Sequence, residues 1–444
     1  MIEKNVECKV ITPIISKSMN FFVNSNPRYK IYSFELRPQS VKGVLHFWFR
    51  AIAPRVINIY KLNLSNIRNE NERKELEKFC EKEKYSGLKF LESMIFGSQN
   101  EKAPFGLIVG YNQEDTIPVG SIVLDNKQRK KFEPNLGLKN LSYPFYGTYY
   151  LSTSNPEDNF VCKCLKSSST FKLRFFVKNE LTWNVLYSLL KIVSVLSGFG
   201  AKTTKGFGQF EIINDKDFHR EKYTKLPEIK KLVFQVEKAL TDYVEEYDKN
   251  GLIELGESTV SDFPNLTDNA FEFYGPIETG TQWHDVMSEI YRASRNSKGW
   301  YRQLKYDLRK INQESTPKRD AVKNLIECLE ERSKNVEISP AILGMPLQYQ
   351  RLKARISKIT FYPKVPGETD DKGRKPSPLR IIINKSGRSW AAYGLLLKSK
   401  LTNDEKLICG ISSDFEAKLT TTFDQLNGKI EESISKGGRN HWHR

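Results

Sequence analysis

Four glycines and two lysines crowd into the stretch GFGAKTTKGFG at 198–208. Glycines have no Cβ, so backbone amides there can come close to a phosphate while lysines add point charges beside it. Gly198, Gly200, Lys202, Thr203, Lys205 and Gly206 are therefore candidate anion contacts. The stretch is not a nucleotide P-loop, since no GxxxxGK[ST] leads from a strand into a helix. A dinucleotide fingerprint would place its glycines after a strand, whereas here they follow a helix pattern. A flexible helix-to-strand connection has the same composition, so the residues alone leave both readings open. A second stretch, ELRPQSVKGVLHFWFR at 35–50, joins Arg37, Lys42 and Arg50 to a helix start at Ser40. Free amides and the dipole at a helix N-terminus can hold phosphate. The competing reading is an amphipathic core helix, and it is the better one for Phe47 and Trp48. Residues 351–388 contain eleven Lys or Arg against three acidic residues, with Arg374 and Lys375 in a polar loop at 364–376. A further basic cluster, Arg292, Arg295, Lys298, Arg302, Lys305, Arg309 and Lys310, fits either an anion surface or the wet face of a helix.

Catalytic or metal chemistry has less to stand on. His46 lies one helical turn after Lys42 and could act as a general base, but Leu45 and Phe47 flank it on an apolar helix, which favours a structural role. His219, His284, His441 and His443 show no metal-ligand spacing. Cys162-x-Cys164 is the only close cysteine pair and lacks two further zinc ligands. Scattered free thiols, and the absence of a long apolar N-terminal run, imply reducing cytoplasm. No cofactor is expected.

The elements that must position these residues read as α+β. Residues 6–10, 105–112, 141–152, 171–177 and 207–213 have strand patterns, clearest in Phe171-Lys172-Leu173-Arg174-Phe175. Helices are predicted from Ser40 to about Ala53, with Val41, Val44, Leu45, Trp48 and Ile52 on one face, within 66–96, and from Leu181 to Leu196. Gly198 is expected to end the last of these in the left-handed conformation. The order fits a ferredoxin-like (RRM-like) βαββαβ unit with insertions, one face covered by helices and one open to a ligand. A charged helix at 223–249 bridges to a loop or linker at 250–282. Beyond it come helical residues 284–333, strands at 354–362 and 379–384, and a last helix at 418–434. The 444 residues divide into an N-terminal domain at 1–215, a bridge at 216–259 and a second α+β ferredoxin-like domain at 260–444.

Together the stretches resemble the RAMP superfamily of CRISPR-associated proteins, whose signature glycine-rich loop precedes the last strand of a ferredoxin-like domain. ITP at 11–13, ELRPQSVKGVLHFWFRAIA at 35–53, ESMIFGS at 92–98, GMPLQY at 344–349 and RKPSPLRI at 374–381 are similar to the family of first subunits of the type III-B (Cmr) effector complex. The resemblance implies a non-catalytic subunit toward the crRNA 3′ end, helping hold crRNA and complementary target RNA beside other RAMP subunits in antiviral defence. Some RAMP proteins are instead metal-independent endoribonucleases that cut repeat RNA, which would recruit His46. A third reading is an assembly subunit contacting mainly protein. Arg37, Lys42, Lys202 and Lys205 are expected to line one basic face.

The bulk numbers agree with a polyanion partner. Lys and Arg number 70 against 53 Asp and Glu, giving +17. Such a surface attracts phosphate through counterion release. At 39% hydrophobic and 12% aromatic residues the chain can fill two cores.

Overall fold

The computed structural model describes all residues except 137–141, 153–154, 293–298, 309–335, 338, 344–346, 351–357, 364–376, 401–405, 410–415, 419–420 and 441–444. In chain order the first elements are strands β1 (Ile2–Val10), β2 (Ile14–Ile15), β3 (Lys17–Ser25) and β4 (Arg28–Phe34), then helices α1 (Pro38–Ile52), α2 (Glu70–Lys82) and α3 (Ser86–Phe96). Next come β5 (Phe105–Tyr111), β6 (Thr116–Pro118), β7 (Gly120–Leu124), β8 (Lys130–Pro134), α4 (Ser142–Phe145), β9 (Tyr149–Tyr150), β10 (Phe160–Leu165) and β11 (Thr170–Val177). Helix α5 (Glu180–Leu196), β12 (Phe210–Ile212), α6 (Leu226–Tyr247) and β13 (Phe271–Gly280) follow.

The first sheet has the order β12-β1-β11-β5, and every neighbouring pair is antiparallel. Helix α1 lies between β1 and β5 in the chain, and α5 between β11 and β12. That is the strand order of a βαββαβ ferredoxin-like unit, as the alternation predicted. One face carries the core: Val6, Cys8 and Val10 of β1 and Phe171, Leu173 and Phe175 of β11 pack with Leu45 and Trp48 of α1 and Leu186 and Leu189 of α5. The other face is open, but Lys172 pairs with Glu7 at 2.6 Å and Lys9 with Glu211 at 3.7 Å. Interleaved carboxylates make it a poor polyanion surface.

Between β1 and β11 the chain builds a second sheet, β2-β10-β4-β3, with β6 and β9 also on β10. Within 141–152, expected as a strand, the described residues instead include the short helix α4 and the two-residue β9, and Pro144 within α4 cannot donate to a ladder. Residues 66–96 form two helices. Asn69 caps α2 by accepting from the amides of Asn71 and Glu72. Residues 250–282 are more ordered than a linker. Leu252, Ile253, Val260 and Leu266 are buried, and β13 is ten residues long. Gly275 and Pro276 sit at a register shift between Tyr274 and Glu278, inside the strand.

The chain divides into two compact units that no single cut separates: Met1–Ser288 with Arg380–Leu397, and Glu289–Leu379 with Lys398–Arg444. In the first, β13 joins a three-stranded sheet ordered β13-β18-β17, where β17 is Leu379–Ser386 and β18 is Ser389–Leu397. In the second unit a five-stranded sheet has the order β14-β20-β19-β16-β15, from Val336–Glu337 (β14), Leu347–Gln350 (β15), Lys358–Pro363 (β16), Lys406–Cys409 (β19) and Glu416–Lys418 (β20). Its last helix runs over Phe423–Asn440, later than expected because Glu416–Lys418 is a strand. Ser433 Oγ accepts from the Trp300 indole at 2.8 Å, joining that helix to the one at Trp300–Leu308.

Candidate nucleic-acid interface

The glycine-rich loop owes its shape to close packing. A Cβ on Gly198 would overlap the Gly208 carbonyl, and one on Gly208 would overlap the Phe199 carbonyl, so the two arms of the loop touch backbone to backbone. The Phe199 amide donates to Gly208 O at 2.9 Å and seals that contact. Gly198 was expected to be left-handed; instead the left-handed residues are Gly200, Lys202, Gly206 and Gly208. Gly198 is required for the absence of a side chain, not for its φ. A Cβ on Gly200 would overlap the Ile15 carbonyl, which accepts from the Ala201 amide at 2.6 Å. The amides of Lys205, Gly206 and Phe207 turn back on Lys202 and Thr203 carbonyls, and Gly208 N donates to Pro13 O at 2.9 Å. These amides therefore stabilise the loop itself. What the loop presents is its apex: Ala201 is exposed, and Lys202, Thr203, Thr204 and Lys205 are half-buried around a 3₁₀ turn at Thr203–Lys205.

At the second stretch Arg37, not Ser40, is the N-cap of α1. Arg37 is extended at φ −80° and ψ 144°, Pro38 fills the first turn, and no side chain caps the helix. Proline fits there because its φ is preset and the missing N–H would have no partner. No acidic residue occupies the first turn, and Arg37 is exposed. Lys42 and Arg50 face α3. Lys42 Nζ donates to Phe96 O at 2.6 Å, a cation on the carbonyl end of α3, and burial lowers its pKa. Arg50 grips Glu92 with Nε at 2.9 Å and Nη2 at 3.0 Å, and His46 Nδ1 lies 2.5 Å from the same carboxylate. Burial alone would raise the Glu92 pKa, but the hydrogen bonds and charges of His46 and Arg50 outweigh it and hold the carboxyl below its ordinary value. His46 also lies against Phe96, ring centroids 4.0 Å apart. The side chains that looked like a base and a phosphate ligand thus tie α1 to α3, beside a cleft of about 410 Å³ lined by Gly43, Phe47, Tyr85 and Phe263 among others.

One short segment links the two stretches. The carbonyls of Pro13 and Ile15 hold the glycine-rich loop, while Ser16 Oγ donates to Glu35 O at 2.5 Å and Glu35 N donates to Ser16 O at 3.3 Å. The loop and the turn leading to Arg37 are therefore fastened to neighbouring residues of 13–16. Arg374 and Lys375 lie outside the described residues, as do Arg295, Lys298, Arg309 and Lys310 of the other basic cluster.

Two buried arginines behind the loop carry no sequence signal of their own. Arg220 donates to Ser194 O at 2.5 Å, Ile383 O at 2.8 Å, and Asn384 Oδ1 and Gln209 Oε1 at 2.9 Å each. Gln209, which follows the last glycine, also donates to Ile381 O at 2.9 Å and accepts from Ile383 N at 2.8 Å. Arg380, in the stretch RKPSPLRI, is 8% exposed and packs its guanidinium 4.7 Å from the Phe47 ring and 5.4 Å from that of Trp48. Burial pushes both arginines down to about 10. Strand β17 is thereby locked to the end of α5 and to the exit of the loop. Cys162 and Cys164 are buried thiols pushed up to about 11 and about 12 by burial, and among the described residues no three His, Cys, Asp or Glu side chains converge on a metal site. Among those residues no helix is long and apolar enough to cross a membrane.

Residues 7–211 match the model of the RAMP superfamily. No curated protein matches the sequence. Among solved structures, Cmr1 from Pyrococcus furiosus in its apo form is similar at 15% identity and a TM-score of 0.49, with 98% of this chain and 97% of that chain covered. A chain of the type III-B Cmr-beta structure bound to cognate target RNA and AMPPnP, in the presence of ssDNA, is similar at 14% identity and a TM-score of 0.45, with 98% of each chain covered. Cmr6 from Pyrococcus furiosus is similar at 14% identity and a TM-score of 0.26, over 48% of this chain and 98% of that chain.

Proposed function

We propose that this protein, whose residues 7–211 match the model of the RAMP superfamily, is a non-catalytic, RNA-binding subunit of a type III-B CRISPR effector complex. Its partners are crRNA, complementary target RNA and other RAMP subunits, and its place is toward the crRNA 3′ end. The observation that carries the reading is the glycine-rich loop: its arms are sealed by backbone contact, so Lys202, Thr203 and Lys205 stand on a turn of fixed shape. A rigid apex with two lysines, in a chain of net charge +17, suits the ribose-phosphate backbone rather than base edges. Arg37, exposed at the start of a helix whose first turn has no acid, adds a second contact. Lys42 and Arg50 serve this site by fixing α1 against α3, with Gly198, Gly200 and Gly206 setting the shape of the loop. Arg374 and Lys375, outside the described residues, are proposed as further RNA contacts on their charge alone. The stretches similar to first Cmr subunits, from residue 11 to residue 381, support this subunit over other RAMP proteins.

The test is equilibrium binding of the purified chain to crRNA, and to crRNA paired with target, over a series of salt concentrations. Phosphate contacts require log affinity to fall steeply with log salt. Affinity that ignores salt would leave an assembly subunit that touches mainly protein.

A further inference from the structure

The second sheet of the N-terminal unit carries a row of rings that the loop does not use. Phe21 of β3 is opposite Tyr32 of β4, Phe160 of β10 is level with Lys30 of β4, and Tyr150 of β9 is opposite Phe160. Cross-strand partners share a face, as do residues two apart on one strand, so all four rings lie on one side. Their centroids follow one another at 5.4, 5.5 and 6.3 Å from Phe21 through Tyr32 and Phe160 to Tyr150. The two ends are open: Phe21 and Tyr150 are each 48% exposed. Lys17 Nζ stands 3.6 Å from the Tyr32 centroid and 4.6 Å from that of Phe160, and Lys30 Nζ 5.6 Å from that of Phe21. Among the described residues neither lysine pairs with a carboxylate; the ring faces are their cation contacts.

Aromatic side chains left at the surface mark a partner. Lysines held over those rings without a counter-charge make the surface positive, which disfavours a neutral apolar protein face and suits a polyanion with flat apolar groups. We propose that the open end rings Phe21 and Tyr150, backed by Tyr32 and Phe160, stack on bases of a single-stranded RNA segment, with Lys17 and Lys30 on its phosphates. The proposal rests on the RNA-binding reading above and gives it a second, chemically different contact. Stacking tolerates any base, because every base has a π face.

The experiment compares the full chain with Phe21→Leu/Tyr150→Leu, which keeps the apolar bulk and removes the π faces. The probes are an unstructured uridine oligonucleotide and an RNA duplex of equal length. The double variant is expected to bind the single strand about tenfold or more weakly, on the order of one to two stacked bases lost. Its salt slope should stay unchanged, since rings release no counterions, and its duplex binding should stay unchanged. Lys17→Ala/Lys30→Ala should lower the slope. If wild type binds the oligonucleotide and the leucine variant matches it, the platform is refuted and the rings are a protein-docking face. If wild type does not bind RNA at all, the RNA-binding reading fails and the platform fails with it. A melting temperature equal to wild type certifies the variant; should it drop, Tyr150→Leu alone, on the two-residue strand β9, carries the comparison.

Discussion

Replacing Arg220 with methionine should loosen the hold of α5 and the loop exit on strand β17. Arg220 is 3% exposed and donates to four acceptors, two of them on β17 and its end. Methionine fills much of the volume but makes none of those bonds. Two acceptors keep another donor, because Gln209 Oε1 still receives the Ile383 amide and Asn384 Oδ1 that of Lys385. The carbonyls of Ser194 and Ile383 lose the guanidinium, and each buried carbonyl stranded in this way costs about 1–3 kcal/mol. Removing a desolvated cation offsets part of that, since burial holds Arg220 down to about 10. The net expectation is a loss of about 2–4 kcal/mol. Urea unfolding of the full chain measures it, and hydrogen exchange locates it: the amides of residues 381–384 should lose protection ahead of those in α1. A loss below about 0.5 kcal/mol with unchanged exchange in β17 would show that the pairing with β18, the Gln209 bonds and the apolar side chains Ile381, Ile382 and Ile383 hold the strand without Arg220.

Glu92→Gln should lower thermal stability at neutral pH by about 1–2 kcal/mol, discounted because the Arg50 side chain is 54% exposed. The Glu92 carboxyl titrates below its ordinary value in the folded chain, so its contribution is fully present above that ordinary value and lost as pH falls through the folded one. Melting curves of wild type and variant should therefore converge in acid; a gap independent of pH would contradict the ion-pair account. Gly208→Ala should cost about 2 kcal/mol or more, since φ is +75° and the new Cβ would overlap the Phe199 carbonyl. In that variant RNA affinity and melting temperature should fall together, and normal behaviour in both would remove the sealed-loop argument.

Most of the first domain was legible because its elements obey simple periods. The alternation in β1 and β11 and the apolar faces of α1 and α5 specify a sheet under two helices, and the order of the elements then leaves few topologies. The glycine-rich loop reads from the sequence as a helix-to-strand connection, and it lies between α5 and β12, but the reason for each glycine does not show there. Composition cannot tell a glycine needed for phosphate approach from one needed because another backbone lies against it, and Gly198 is of the second kind. Lys42 and Arg50 were legible as charges yet not as partners of Phe96 O and Glu92, because those partners lie more than forty residues away in the chain. Arg220, Gln209 and Arg380 were invisible for the same reason: nothing local marks an arginine that will be buried by a strand from the far end of the sequence. The ring row of Phe21, Tyr32, Phe160 and Tyr150 depends on strand register across an insertion, which single-sequence patterns do not fix.

The most direct test of the RNA-clamp account is the salt dependence of RNA affinity for Lys202→Ala/Lys205→Ala beside wild type. Each phosphate contact on a single strand contributes about 0.7 to the slope of log affinity against log salt, so losing two should reduce it by roughly 1.4. A reduced slope with an unchanged melting temperature is the predicted result. An unchanged slope and affinity would contradict the account and leave the glycine-rich loop as a purely structural turn between α5 and β12.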